Sequence, residues 1–151
     1  MAHKARRPRK KKVLILVHVE EMFRRFFPEM YVPRLVKACK SKKYNEVICM
    51  VSEVDDYDPI AELSGLRHSR IAWGWGYEPS MFEEEEAPWV ISDPNLIHEH
   101  TWVPVKLRDG RLNNAEVFLG GGCDGECLAD MEAVLERLAV PFRRVLGYIY
   151  P

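Results

Sequence analysis

Residues 115–150 hold the pattern that most restricts the fold. Ala-Glu-Val-Phe-Leu at 115–119 is a short apolar run that reads as a buried strand, and Gly120, Gly121 and Gly122 break it. Leu128, Met131, Val134, Leu135 and Leu138 then recur at helical spacing, which predicts an amphipathic helix over 124–140. Asp124 is placed as its N-cap, Pro141 closes it, and residues 142–150 read as a further strand. The unit is β-loop-α-β, and its sharp glycine-rich turn sets Cys127 near a helix N-terminus. The partial positive charge there favours a thiolate, so a cysteine in that place can be reactive. The same pattern also fits a tight turn beside a buried, inert thiol.

Residues 13–19 (Val-Leu-Ile-Leu-Val-His-Val) are almost wholly apolar, as a central parallel strand with both faces covered should be. His18 is the odd residue, near the carboxyl end, where open α/β sheets bind their ligands. Glu20, Glu21, Met22 and Phe23 follow in a loop. A helix is expected to about Lys40, interrupted or restarted at Pro28 and Pro33, with Leu35, Val36 and Cys39 on its buried face. Residues 46–54 read as a second apolar strand. Glu53, Asp55, Asp56 and Asp58 at its end suit either a solvated acidic loop or a place to hold a cation or orient a base.

Residues 60–71 read as helix, and Trp-Gly-Trp-Gly-Tyr at 73–77 as a rigid aromatic loop that walls a pocket or makes an interface. The acidic run 83–86 is a solvated face. Residues 89–92 form a short strand, and 101–107 alternate as a strand does, although Pro104 bars a central position. No repeat or linker divides the chain. The expectation is one domain over 13–151, a three-layer, Rossmann-like α/β fold with a mainly parallel sheet and helices on both faces.

Charge separates the two ends of this reading. The net charge of −1 conceals a basic tail, Lys4, Arg6, Arg7, Arg9, Lys10, Lys11 and Lys12, which takes seven of the 22 basic residues. The remaining 15 face 23 acids, leaving a body near −8. Residues 1–12 are expected to be a disordered arm, either contacting nucleic acid or an acidic partner through counterion release, or solvating the chain. No run is long and apolar enough to span a bilayer, and no signal peptide is recognisable. Four cysteines without a disulfide-framework spacing suit reduced thiols in the cytoplasm.

Three stretches together resemble the isochorismatase-like cysteine hydrolase superfamily, in a divergent and shortened form. That family ends its first strand in Asp-x-Gln followed closely by Phe; His18-Val19-Glu20 and Phe23 fill the equivalent stretch here. It carries a lysine on a strand after a variable region, for which Lys106 in Val-Lys-Leu is the match. It ends with a strand, a glycine and, six residues on, a Cys-Val pair; Gly121 and Cys127-Leu128 keep that spacing.

The resemblance covers most of residues 13–150. It implies an isochorismatase-like fold, Cys127 as nucleophile, Lys106 as the cation beside it, and a small molecule with an amide or related bond as substrate. Two departures stand out. His18 replaces the acid and Glu20 the glutamine, and the helix between the lysine and the glycine strand is nearly absent. His18 could serve as the base, since a Cys–His pair is workable. Alternatively, the chain is a non-catalytic binding or structural module on the same scaffold. A homo-oligomer without cofactor is expected. A competing zinc set of Cys123, Cys127, His98 and His100 has spacings that are common by chance, so no metal is assigned. Walker A, Gly-x-Gly-x-x-Gly and Gly-x-Ser-x-Gly patterns are absent.

Overall fold

The computed structural model describes residues 10–51, 59–66, 71–75, 112, 114–137 and 139–151. Among the described residues five strands form one all-parallel sheet: β1 (Lys11–Val17), β2 (Glu46–Val51), β3 (Ile71–Trp75), β4 (Ala115–Gly121) and β5 (Phe142–Ile149). Their spatial order is β3-β2-β1-β4-β5, so β1 is central. The chain builds outward from β1 through β2 to β3, then returns to lay β4 on the other side of β1. That reversal creates a switch point between β1 and β4, the place where such sheets open a crevice beyond their carboxyl ends.

The alternation of β1 explains why both of its faces are covered. Val13, Ile15 and Val17 pack on one side with Leu128, Met131, Val134 and Leu135 of helix α3 (Cys127–Arg137). Leu14 and Leu16 pack on the other side with Tyr31, Leu35, Ala38 and Cys39 of helix α1 (Tyr31–Lys40). Helix periodicity on each flank and period-two alternation in the strand thus meet in two apolar layers. This is the expected three-layer arrangement.

Several boundaries differ from the sequence reading. β1 begins at Lys11, inside the expected arm. The Lys11 ammonium pairs with Glu46 Oε2 at 2.7 Å, and the backbones of Lys12 and Asn45 are tied by Asn45 N–H to Lys12 O at 2.9 Å. These bonds fix two lysines that composition alone placed in a solvated arm. A 3-10 helix (Glu21–Phe26) occupies the expected loop after β1, and α1 starts only at Tyr31, with Pro33 accommodated in its first turn.

The helix expected over 60–71 shrinks to α2 (Ala61–Ser64). The aromatic loop is corrected too. Ile71–Trp75 is strand β3, paired with Val47–Val51, because the ladder on β2 gives its backbone partners despite Gly74; residues 76 and 77 of the expected loop lie outside the described residues. α3 begins at Cys127 rather than Asp124. The acidic cluster near 55–58, the acidic run 83–86 and the elements expected over 89–107 lie outside the described residues.

Candidate functional site

The carboxyl ends of β1 and β4 are held unusually close, and glycine is the reason. Gly121 has φ of 99°, and a Cβ there would lie 2.0 Å from the Val17 carbonyl oxygen. Only a residue without a side chain fits that backbone and that approach. The Gly122 N–H then donates to the same Val17 carbonyl at 2.9 Å. A Cβ on Gly122 would sit 2.5 Å from the Tyr150 ring, so its absence makes room for that ring. The glycines expected to break the strand instead continue β4 through Gly121 and admit an aromatic residue to the sheet end.

Tyr150 organises the site, and sequence reasoning passed over it. It is fully buried, its hydroxyl donates to the His18 carbonyl at 2.6 Å, and its backbone bonds to Gly121 and Asp124. Its ring packs against Phe27 and Tyr31 at centroid distances of 4.9 and 5.6 Å. Burial above all pushes the Tyr150 hydroxyl up out of its ordinary range; negative charge on Cys123, Tyr31, Cys127 and Glu20 adds to the shift. Those four groups therefore share its electrostatic surroundings. The signal available in the sequence was a tyrosine ending the last strand opposite three residues without side chains.

His18 follows β1 directly, with a left-handed backbone of φ 52° and 4% exposure. Its N–H donates to the Met50 carbonyl at 2.9 Å, which anchors it to the end of β2. Its Nδ1 lies 2.7 Å from Glu20 Oε1, and Glu20 is only 1% exposed. A carboxylate so placed fixes the ring orientation and favours the tautomer with a proton on Nδ1. Phe23 covers the imidazole at a centroid distance of 5.1 Å. The sequence marked Glu20 as a replacement for glutamine but did not foresee this pair; two residues' separation around a left-handed turn was the available clue.

Cys127 is the first residue of the eleven-residue α3, half-buried against the apolar layer on that side. Cys123 packs toward the opposite layer, and its carbonyl accepts from the N–H groups of Glu126 and Leu128. Asp124, expected as a cap, pairs instead with Arg144 at 2.6 Å. The other two thiols are remote in character: burial pushes Cys39 up to about 11 and Cys49 well above its ordinary value.

The structure thus sets His18, Glu20, Cys123, Cys127 and Tyr150 at one end of the sheet. Lys106, His98, His100, Lys4, Arg6, Arg7 and Arg9 lie outside the described residues. Lys10, Lys11 and Lys12 are at the other end of β1, roughly 20 Å away at about 3.3 Å per residue. Among the described residues no group of three or more His, Cys, Asp or Glu could hold a metal ion, and no helix is long and apolar enough to cross a membrane.

Comparison with known proteins places the fold. No family model and no curated protein matches the sequence. Among solved structures, the MAR1 ribonuclease from Caenorhabditis elegans is similar over 97% of this chain and 68% of its own, with a TM-score of 0.59 and 14% identity. The nicotinamidase from Staphylococcus aureus is similar over 93% of this chain and 84% of its own, with a TM-score of 0.60 and 12% identity. At these identities the likeness is one of architecture, and both neighbours are isochorismatase-like. The chain is an α/β domain with the isochorismatase-like fold.

Proposed function

We propose that this protein is a cysteine hydrolase acting on a small molecule with an amide or related bond, with Cys127 as nucleophile and His18 as the base that serves it. The observation that carries the reading is the buried His18–Glu20 pair at 2.7 Å. It stands at the end of β1, where the resembling family has its acid and its glutamine. A nucleophile, a base and a third group that orients the base make an activating constellation, and Cys–His pairs suit acyl transfer. Of the two neighbours' names, nicotinamidase is the one that speaks for amide chemistry.

His18 carries the proton through both halves of the reaction. Cys127 gives its proton to His18, and the thiolate adds to the carbonyl carbon. Collapse breaks the C–N bond, and the leaving nitrogen takes the proton from His18. Water then gives a proton to His18 and adds to the thioester carbon. Cleavage of the C–S bond, with return of that proton to sulfur, releases a carboxylic acid and the free thiol. Glu20 offsets the positive charge that His18 carries between these transfers. Lys106 belongs to the proposal as the neighbouring cation. Four free cysteines fit a reducing compartment, so cytoplasmic action, as a homo-oligomer, is part of the same reading.

A second reading has its own observation. The His18 ring is almost wholly enclosed, under Phe23, and replaces a carboxylate base, which favours a scaffold that binds without catalysis. Ammonia release from a panel of small primary carboxamides separates the two. The hydrolase reading expects turnover, none in Cys127→Ser, and about a 10²-fold or larger loss in Glu20→Gln, because the base His18 then lacks the carboxylate that orients it and offsets its charge. Absence of turnover by the wild-type chain across the panel would leave the scaffold.

A further inference from the structure

The amino-terminal end of the sheet carries a second feature, unrelated to the crevice. A broad depression of about 1100 Å³ opens there between the start of β1, the loop after α1 and the start of β5. Lys10, Lys11, Lys12, Lys42, Lys43 and Arg143 line it. Among the described residues, Glu116 lies on its wall and Glu46 pairs with Lys11. Six of the 22 basic residues thus line the depression, which gives it a local excess of positive charge in a chain whose net charge is −1.

The geometry holds these cations together. Asn45 Oδ1 accepts from the Lys12 N–H at 2.8 Å, and the Asn45 N–H donates to the Lys12 carbonyl at 2.9 Å. The loop with Lys42 and Lys43 is thereby pinned to the root of the amino-terminal segment. Ser41 Oγ accepts from the Lys43 N–H and sets the turn between them.

We propose that this basic depression binds the phosphate backbone of a single-stranded nucleic acid. Lysines act as point charges that tolerate varied phosphate geometry. The depression exceeds the usual 300–1,000 Å³ or so of a small-molecule pocket, which suits a length of polymer. Phe142, half-buried on its wall, offers a face for base stacking. Contacts from these charges go to phosphate, which carries no sequence information directly, so DNA and RNA should bind alike. The site is independent of the hydrolase chemistry at the opposite end.

The test uses the full chain and a fluorescein-labelled, mixed-sequence single-stranded oligonucleotide, followed by anisotropy over a range of salt concentrations. Binding should weaken linearly in log–log form with salt. Lys42→Ala/Lys43→Ala/Arg143→Ala should reduce the slope by about two, at about 0.7 for each phosphate that is no longer neutralised. All three side chains are exposed, so the melting temperature should hold. Lys42→Gln/Lys43→Gln serves as a milder variant, expected to reduce the slope by about 1.4. Three outcomes would overturn the proposal: salt-independent binding, unchanged binding by both variants while deletion of residues 1–9 abolishes it, or preference for polyglutamate over the oligonucleotide.

Discussion

Tyr150→Phe removes one hydroxyl and almost nothing else. Phenylalanine keeps the ring that fills the space beside Gly122 and packs on Phe27 and Tyr31, so no cavity arises. The variant gives up the 2.6 Å bond to the His18 carbonyl, inside a fully buried site. Leaving a buried carbonyl without that donor costs about 1–3 kcal/mol. At about 2–4 °C per kcal/mol for a domain of this size, the melting temperature should fall by several degrees. A second readout isolates the titration. Burial raises the hydroxyls of Tyr31, Tyr44 and Tyr150 above their ordinary 10.0. Above pH 10 the unfolded chain therefore gives up protons that the folded chain keeps, and stability falls as pH rises toward the folded values. Each such tyrosine contributes about 1.4 kcal/mol per pH unit, and the variant should lose one share of that slope. Urea melts of both proteins, repeated at pH values from neutral to above 10, supply the numbers. An unchanged midpoint together with an unchanged alkaline limb would refute the role assigned to Tyr150.

The glycines give a graded comparison. Gly121→Ala should cost about 3 kcal/mol or more in thermal or urea unfolding, since strain at φ 99° adds to a clash with Val17 that only backbone movement relieves. Gly125→Ala, with φ 79° and open space around it, should cost only the left-handed penalty of about 1–2 kcal/mol; equal losses would contradict the close-approach argument. Arg24 bridges Glu21 and Glu62, and hydrogen bonds from Arg24 hold both carboxyls below their ordinary 4.5. That support is present above 4.5 and is lost as pH falls through the lowered values, so wild type and Arg24→Ala should converge in acid; a difference that persists there would count against the ion pairs.

The centre of the sheet was legible because its strands had little choice. Residues 13–17 are apolar on both faces, and only a strand covered twice can use them. The amino edge was less legible, because Lys11 joins the ladder through a partner, Glu46, 35 positions away. β3 was hidden for a similar reason. Ile-Ala-Trp-Gly-Trp has aromatic strand formers interrupted by glycine, and the deciding factor was an available edge on β2 rather than local preference. At the site, the place of Cys127 at a helix start and of His18 at a strand end could be read from spacing. The His18–Glu20 pair and the Tyr150 hydroxyl could not, since both depend on a left-handed turn and on bonds between distant strands.

The most direct test of the central claim is the rate at which iodoacetamide modifies Cys127, followed by mass spectrometry from about pH 6 to about pH 9, the range that brackets ordinary thiol titration. Cys39 and Cys49 serve as internal references, because burial suppresses their ionisation. The account predicts that Cys127 reacts at neutral pH while the references do not, and that Glu20→Gln slows the reaction. A Cys127 that reacts no faster than a free thiol, at a rate unchanged in Glu20→Gln, would contradict it.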